Sequence, residues 1–146
     1  MVVQDRARKV VKLGHPESRV LVYRARDLIA DRFDHPITLN DAAQEACLSP
    51  FHFHRLFAQT FGQTPHDFLT SRRIEAAKRL LVQSNMSVTE ICFEIGYSSL
   101  GSFSSLFLRE VGCTPTDYRI GAARFHSLYR IWSHRFVPTC FTRNWM

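Results

Sequence analysis

Residues 49–68 and 99–118 are two copies of one segment, and this duplication constrains the chain more than any other feature. At an offset of 50, eight of twenty positions are identical: Ser49/Ser99, Phe53/Phe103, Leu56/Leu106, Phe57/Phe107, Gly62/Gly112, Thr64/Thr114, Pro65/Pro115 and Asp67/Asp117. Chance would give about one or two. Upstream the offset falls to 49, pairing Thr38 with Ser87 and Cys47 with Gly96, so the second copy carries one extra residue in its turn. Two copies are too few for a solenoid. The fold must therefore be built from two similar units.

Each copy reads as helix, tight turn, helix. Thr38 is an N-cap followed by acidic Asp41, with Ile37 and Ala42 placed as a hydrophobic staple, and the short helix ends near Cys47. Ser49-Pro50 then places a cap before a proline at the first helical position, where its missing N–H costs nothing. Phe53, Leu56 and Phe57 recur at i, i+3, i+4, which predicts one buried face, and Gly62 stops the helix. In the second copy Ser87-Val88-Thr89-Glu90 is a capping box and Gly96 supplies the turn. Ser99 caps, Phe103, Leu106 and Phe107 repeat the apolar face, and Gly112 stops it.

Thr64-Pro65 and Thr114-Pro115 each start a further helix. The one from Pro65 to Gln83, with Phe68, Ile74, Ala77, Leu80 and Leu81 inward, joins the copies. Before them, residues 19–33 read as an amphipathic helix burying Leu21, Leu28, Ile29 and Phe33. The expected fold is all-α, about seven helices, with two helix-turn-helix subdomains on a long linker helix. The organisation expected is a tail over 1–18, the paired domain over 19–119 (first unit 38–62, linker 65–83, second unit 87–112), and a basic aromatic tail over 120–146.

A helix whose inner face packs can offer its outer face to the major groove. Phe51, His54 and Arg55 share that outer face in the first copy. Arg55 suits two guanine acceptors, His54 a base edge, and Phe51 a thymine methyl. The pattern alone also allows a blander reading, with Arg55 and His54 merely solvated and Phe51 in the core. In the second copy Leu100, Gly101, Ser102, Ser104 and Ser105 stand there instead. Short hydroxyls reach phosphates and only occasionally base edges, so this helix is expected to position more than specify.

Charge adds little. The net +6 resides in the ends, because residues 19–119 hold eleven Arg/Lys against eleven Asp/Glu. The first residues, Met1 to Arg6, show no apolar leader, and no run approaches a membrane span, so a cytoplasmic protein without a membrane role is expected.

With these residues in view the chain strongly resembles the AraC/XylS family. The resemblance rests on Thr38-Leu39-Asn40-Asp41-Ala42-Ala43, Ser49 through Phe57, Gly62 and Thr64-Pro65. It continues in Ser87-Val88-Thr89-Glu90-Ile91, Gly96-Tyr97-Ser98-Ser99, Phe103, Phe107, Gly112, Thr114-Pro115 and Tyr118-Arg119. It implies a transcription regulator, often an activator touching RNA polymerase, that sets two recognition helices in successive major grooves of double-stranded DNA. Such a pair reads an asymmetric site without dimerising, and the oligomeric state is left open. By motif position the family's base-reading residues fall on Phe51, His54 and Arg55, and on Gly101, Ser102 and Ser105.

Three departures stand out. Cys47 occupies a turn position where the family usually has glycine, which predicts a strained or adjusted turn. Ser105 stands where arginine is frequent. The family's usual sensor domain is missing, so the chain looks like a stand-alone DNA-binding member or a piece of a larger regulator, with neither effector binding nor a cofactor expected.

Two rival functions follow from what the family does not explain. DNA alkyl-phosphotriester repair needs a clustered four-cysteine zinc site, whereas Cys47, Cys92, Cys113 and Cys140 lie 45, 21 and 27 residues apart. No catalysis is expected. The second rival is a protein-interaction module acting through residues 120–146. That segment reads as packing on the domain or disordered, as a self-association or partner-binding helix, or as a nucleic-acid or membrane-surface contact. Phe125, Tyr129, Trp132 and Phe136 there have helical spacing and four arginines accompany them without an acid.

Overall fold

The computed structural model describes residues 16–129, with side chains over 19–125. Among them seven helices and no strand are found: α1 (Pro16–Asp31), α2 (Leu39–Glu45), α3 (Pro50–Phe61), α4 (Pro65–Gln83), α5 (Val88–Glu94), α6 (Leu100–Val111) and α7 (Pro115–Tyr129). The all-α expectation holds, as does the helix order. The described residues form two compact units, one made of 16–32 together with 37–69, the other of 33–36 with 70–129. Residues of α4 belong to both.

The first unit has a core of Val22, Ala25 and Ile29 from α1, Ala42, Ala43 and Ala46 around α2, and Phe53, Leu56 and Phe57 from α3. Alanines dominate α2 because a seven-residue helix wedged between two others must let their backbones come close. The phenylalanines fill what remains: Phe57 meets Phe53 at 5.5 Å, Phe61 at 4.6 Å and Phe68 at 5.8 Å between ring centroids. Burying each such ring contributes about 1.5–3 kcal/mol relative to exposure.

The first helix differs in register from the sequence reading. It starts at Pro16 and ends at Asp31, and its buried stripe is Val22, Ala25 and Ile29, spaced i, i+3, i+7. Leu21 and Leu28 lie at the margin, half-buried. Phe33 falls beyond the helix end and packs on the core of the other unit.

The second unit repeats the arrangement with its own core, centred on Phe103, Phe107, Ile91, Cys92 and Ile95 with Ile74, Ala77 and Leu81 from α4. The ring contacts recur at the duplicated positions. Phe103 meets Phe107 at 5.7 Å, as Phe53 meets Phe57. Phe107 meets Tyr118 at 5.6 Å, as Phe57 meets Phe68. Helix α7 continues past Arg119 to Tyr129 and buries Ala122. The remaining aromatic residues of the C-terminal segment, from Trp132 onward, lie outside the described residues, as do residues 1–15.

The short turns are built alike. Both capping boxes form: Thr38 Oγ1 accepts from the Asp41 N–H while the Thr38 N–H donates to the Asp41 carboxylate, and Ser87 and Glu90 do the same. After α2 the Cys47 N–H donates to the Gln44 carbonyl and the Leu48 N–H to the Ala43 carbonyl. After α5 the Gly96 N–H donates to Phe93 and the Tyr97 N–H to Cys92. These paired bonds are Schellman motifs and require a left-handed residue. Gly96 takes it at φ 84°, whereas Cys47 takes it at φ 52° with a side chain attached. The adjusted turn expected at Cys47 is thus a left-handed cysteine, a conformation that disfavours L residues by about 1–2 kcal/mol.

Candidate nucleic-acid interface

Helix α3 is set by its ends. The Ser49 hydroxyl accepts from the His52 N–H at 3.4 Å, Pro50 occupies the first turn, and left-handed Gly62 closes the helix with its N–H on the Ala58 carbonyl. Once Phe53, Leu56 and Phe57 face the core, Phe51, His54 and Arg55 must face away, and all three are exposed. Phe51 is 78% exposed, so it does not belong to the core. A large ring left in water beside an arginine is the kind of apolar exposure that calls for a partner.

His54 sits at the flank of this face. It also lines a cavity of the first unit, as does His66 of α4. Asp67, next in sequence, lies within electrostatic reach of both imidazoles. Its carboxyl is held below the ordinary range chiefly by the Thr64 hydroxyl, against burial, with the Thr64 backbone and then His66 and His54 helping. Thr64 and Asp67 cap α4 reciprocally at 2.7 and 3.1 Å.

Helix α6 repeats the design. Ser99 caps the Ser102 N–H, Gly112 closes it at φ 85°, and Phe103, Phe107 and Val111 face inward. Gly101, Ser102 and Ser105 are exposed, while Ser104 is half-buried, as its flank position dictates. Leu100 and Leu108 are exposed on the same helix, where α3 exposes Phe51.

Sequence reasoning passed over residues one turn further along. Gln59, exposed, lies four positions from Arg55, and Arg109, four from Ser105, is exposed and ion-paired with Glu110 at 2.9 Å. The same i+4 spacing used for the inner face would have found them. It also missed what anchors the second unit. The Arg73 guanidinium donates to the Phe33 carbonyl at 2.6 Å and the His35 carbonyl at 3.1 Å, and lies 5.1 Å over the Tyr97 ring. Arg119 likewise donates to the Leu81 and Met86 carbonyls, tying α7 to the end of α4.

Among the described residues, no group of three His, Cys, Asp or Glu is placed to hold a metal ion, and no helix is long and apolar enough to cross a membrane. The two units are each a capped helix, a left-handed turn and a second capped helix with a bare outer face. This is the helix-turn-helix, present twice.

A family model described as a helix-turn-helix domain matches residues 42–120. The chain belongs to the AraC/XylS-type family of helix-turn-helix transcriptional regulators. It is 36% identical over 83 residues to the HTH-type transcriptional regulator ExsA of Pseudomonas aeruginosa, covering 57% of this chain and 30% of that protein. To the transcriptional activator RhaS of Escherichia coli it is 35% identical over 97 residues, covering 66% of this chain and 35% of the relative. The chain thus spans about a third of the length of these curated relatives.

Among solved structures, an AraC-type transcriptional regulator from Chromobacterium violaceum superposes with a TM-score of 0.66 at 28% identity, over 75% of this chain and 97% of that one. The DNA-binding domain of AdpA, solved with a target DNA, shares the fold at a TM-score of 0.68 and 24% identity, over 77% and 98% of the two chains.

Proposed function

We propose that this chain binds double-stranded DNA sequence-specifically and regulates transcription from the promoters that carry its site. The observation supporting it most directly is the outer face of α3, where a 78%-exposed Phe51 adjoins exposed Arg55 on a helix whose inner face is fully occupied. Arg55 makes the bidentate contact to guanine, Phe51 packs on a thymine methyl, and His54 reaches a base edge from the flank. Gly101 lets α6 approach closely, and Ser102, Ser104 and Ser105 hold the phosphates. The recognition helices occupy successive major grooves, and RNA polymerase is the second partner. The protein acts in the cytoplasm and carries out no catalysis.

Because residues 19–119 are electrically neutral overall, affinity depends on locally placed arginines and falls with salt. Binding selection from a randomised duplex pool tests the proposal. Two enriched blocks about one helical turn apart are expected for a monomer reading with both copies. A single block would assign readout to α3 alone. The absence of any enriched sequence, with only a salt-sensitive background, would overturn the proposal.

A further inference from the structure

The first unit contains a cavity of about 280 Å³, formed where α1, α2, α3 and the start of α4 meet. Ligand pockets run from about 300 to 1,000 Å³, so this one suits a compact molecule. Its walls are Ile29, Ile37, Leu39, Ala42, Pro65 and Leu69, and its polar lining is Thr38, His54 and His66. The Thr38 hydroxyl is already committed, donating to the Asp41 carboxylate at 2.7 Å and accepting from its N–H. His54 and His66 are both exposed at the cavity, each within electrostatic reach of Asp67, and their ring nitrogens are the polar groups left to meet whatever enters.

Charge narrows the choice of occupant. No Lys or Arg lines the cavity, and the fixed charges bordering it are the carboxylates of Asp41, at Thr38, and Asp67, beside both histidines. A carboxylate or phosphate would meet these without a counter-charge, and an ammonium group would have to shed its hydration against six apolar walls.

We infer that this cavity is a binding site for a compact, uncharged, largely apolar molecule bearing one hydroxyl or carbonyl group, held by the His54 and His66 imidazoles. Occupation engages His54, so the ligand and DNA compete for one side chain. Ligand binding therefore weakens DNA binding, and DNA weakens ligand binding by the same factor. This coupling rests on the DNA-reading role proposed for α3. The occupancy of the cavity does not.

The test uses the full chain without DNA, titrated separately with phenol, benzoate and benzylamine as probes and followed by NMR. Phenol should give saturable shifts at the Ile29, Ile37 and Leu69 methyls and at both histidine rings, with the two charged probes weaker. Leu39→Trp, at a 41%-exposed position on the cavity wall, should fill the space and weaken phenol by about tenfold or more. His66→Phe should weaken it by about three- to tenfold through loss of one hydrogen bond. Non-saturating shifts, shifts that persist in Leu39→Trp, or tighter binding of either charged probe would each overturn the assignment. A second titration with the selected duplex separates the coupling. If phenol binds yet leaves DNA affinity unchanged, the competition fails while the site stands. If no duplex is ever selected, the DNA-reading proposal fails while the site stands.

Discussion

Replacing Gly96 with alanine isolates what the second turn demands. Its φ is 84°, and an added Cβ would lie 2.6 Å from the Asp34 carbonyl oxygen and 3.0 Å from both that carbonyl carbon and the Arg73 Nη2. The oxygen is backbone and cannot swing aside, because the segment it belongs to is held by Arg73 through the Phe33 and His35 carbonyls. Relief requires moving residues 33–36 or opening the turn. The left-handed conformation disfavours alanine by about 1–2 kcal/mol, and overpacking adds about 1–3 kcal/mol. Lost freedom of the unfolded chain returns about 0.4–1 kcal/mol, leaving a net destabilisation of about 1–4.5 kcal/mol.

Gly112 is the matched control. It lies in the same unit at φ 85° with nothing within 4 Å of its added Cβ. Gly112→Ala therefore meets the backbone term alone, a net loss of about 1 kcal/mol. Urea unfolding of both variants at equal slope, followed by helical circular dichroism, measures the difference. Should the two variants lose the same stability within about 0.5 kcal/mol, the Asp34 contact is not what requires glycine and the reasoning fails.

Other expectations follow from the same structure. Arg55→Ala should cost about 1–3 kcal/mol of DNA affinity and relax preference at one base position in a repeated selection, whereas an unchanged profile would remove Arg55 from the interface. Phe107→Ala, emptying a fully buried site that touches Phe103 and Tyr118, should lower unfolding stability by about 3–5 kcal/mol. Ser87→Ala removes the α5 cap and should cost about 0.5–2 kcal/mol, seen as faster amide exchange over α5.

Acid should also destabilise the fold. The carboxyls of Asp34, Asp41, Asp67 and Glu90 are all depressed, the aspartates by the His35, Thr38 and Thr64 side chains respectively and Glu90 by the Ser87 backbone. A depressed carboxyl stabilises the fold above its ordinary value and loses that contribution as pH falls through the folded value. Stability should hold above pH 4.5 and decline below it, first as Glu90 and then, under 3.8, as the aspartates protonate. A midpoint independent of pH between 5 and 2 would contradict the capping networks.

Much of this architecture could be read locally. Caps declare themselves within four residues, as at Thr38-Asp41 and Ser87-Glu90, and an inner face within five, as at Phe53-Leu56-Phe57. Cys47 was legible as an exception because the family resemblance places glycine at that turn. What stayed hidden depends on distant partners. Arg73 reaches carbonyls 38 and 40 residues away, and Arg119 reaches others 33 and 38 away, yet neither differs in its neighbourhood from a solvated arginine. The register of α1 slipped for a related reason. Leu21 and Leu28 outweigh Ala25 by hydropathy, but the small residue is the one that close helix packing selects. At the candidate interface the outer-face residues could be placed from periodicity, while the cavity that His54 and His66 both line could not, since it depends on how α4 enters.

The inner triads of α3 and α6 have a consequence for divergence. Folding in each unit is secured by phenylalanines that point away from the solvent face, so outer-face residues can be exchanged at within about 0.5 kcal/mol of stability. Drift in what a helix reads is thereby uncoupled from whether it folds. The duplicated positions already record that freedom. Arg55 and Ser105 occupy the same place on the same scaffold, above ring pairs whose centroids differ in separation by only 5.7 against 5.5 Å. If the two outer faces read DNA as proposed, a lineage carrying such a chain can retarget one half of its binding site by point substitution and leave the other half untouched.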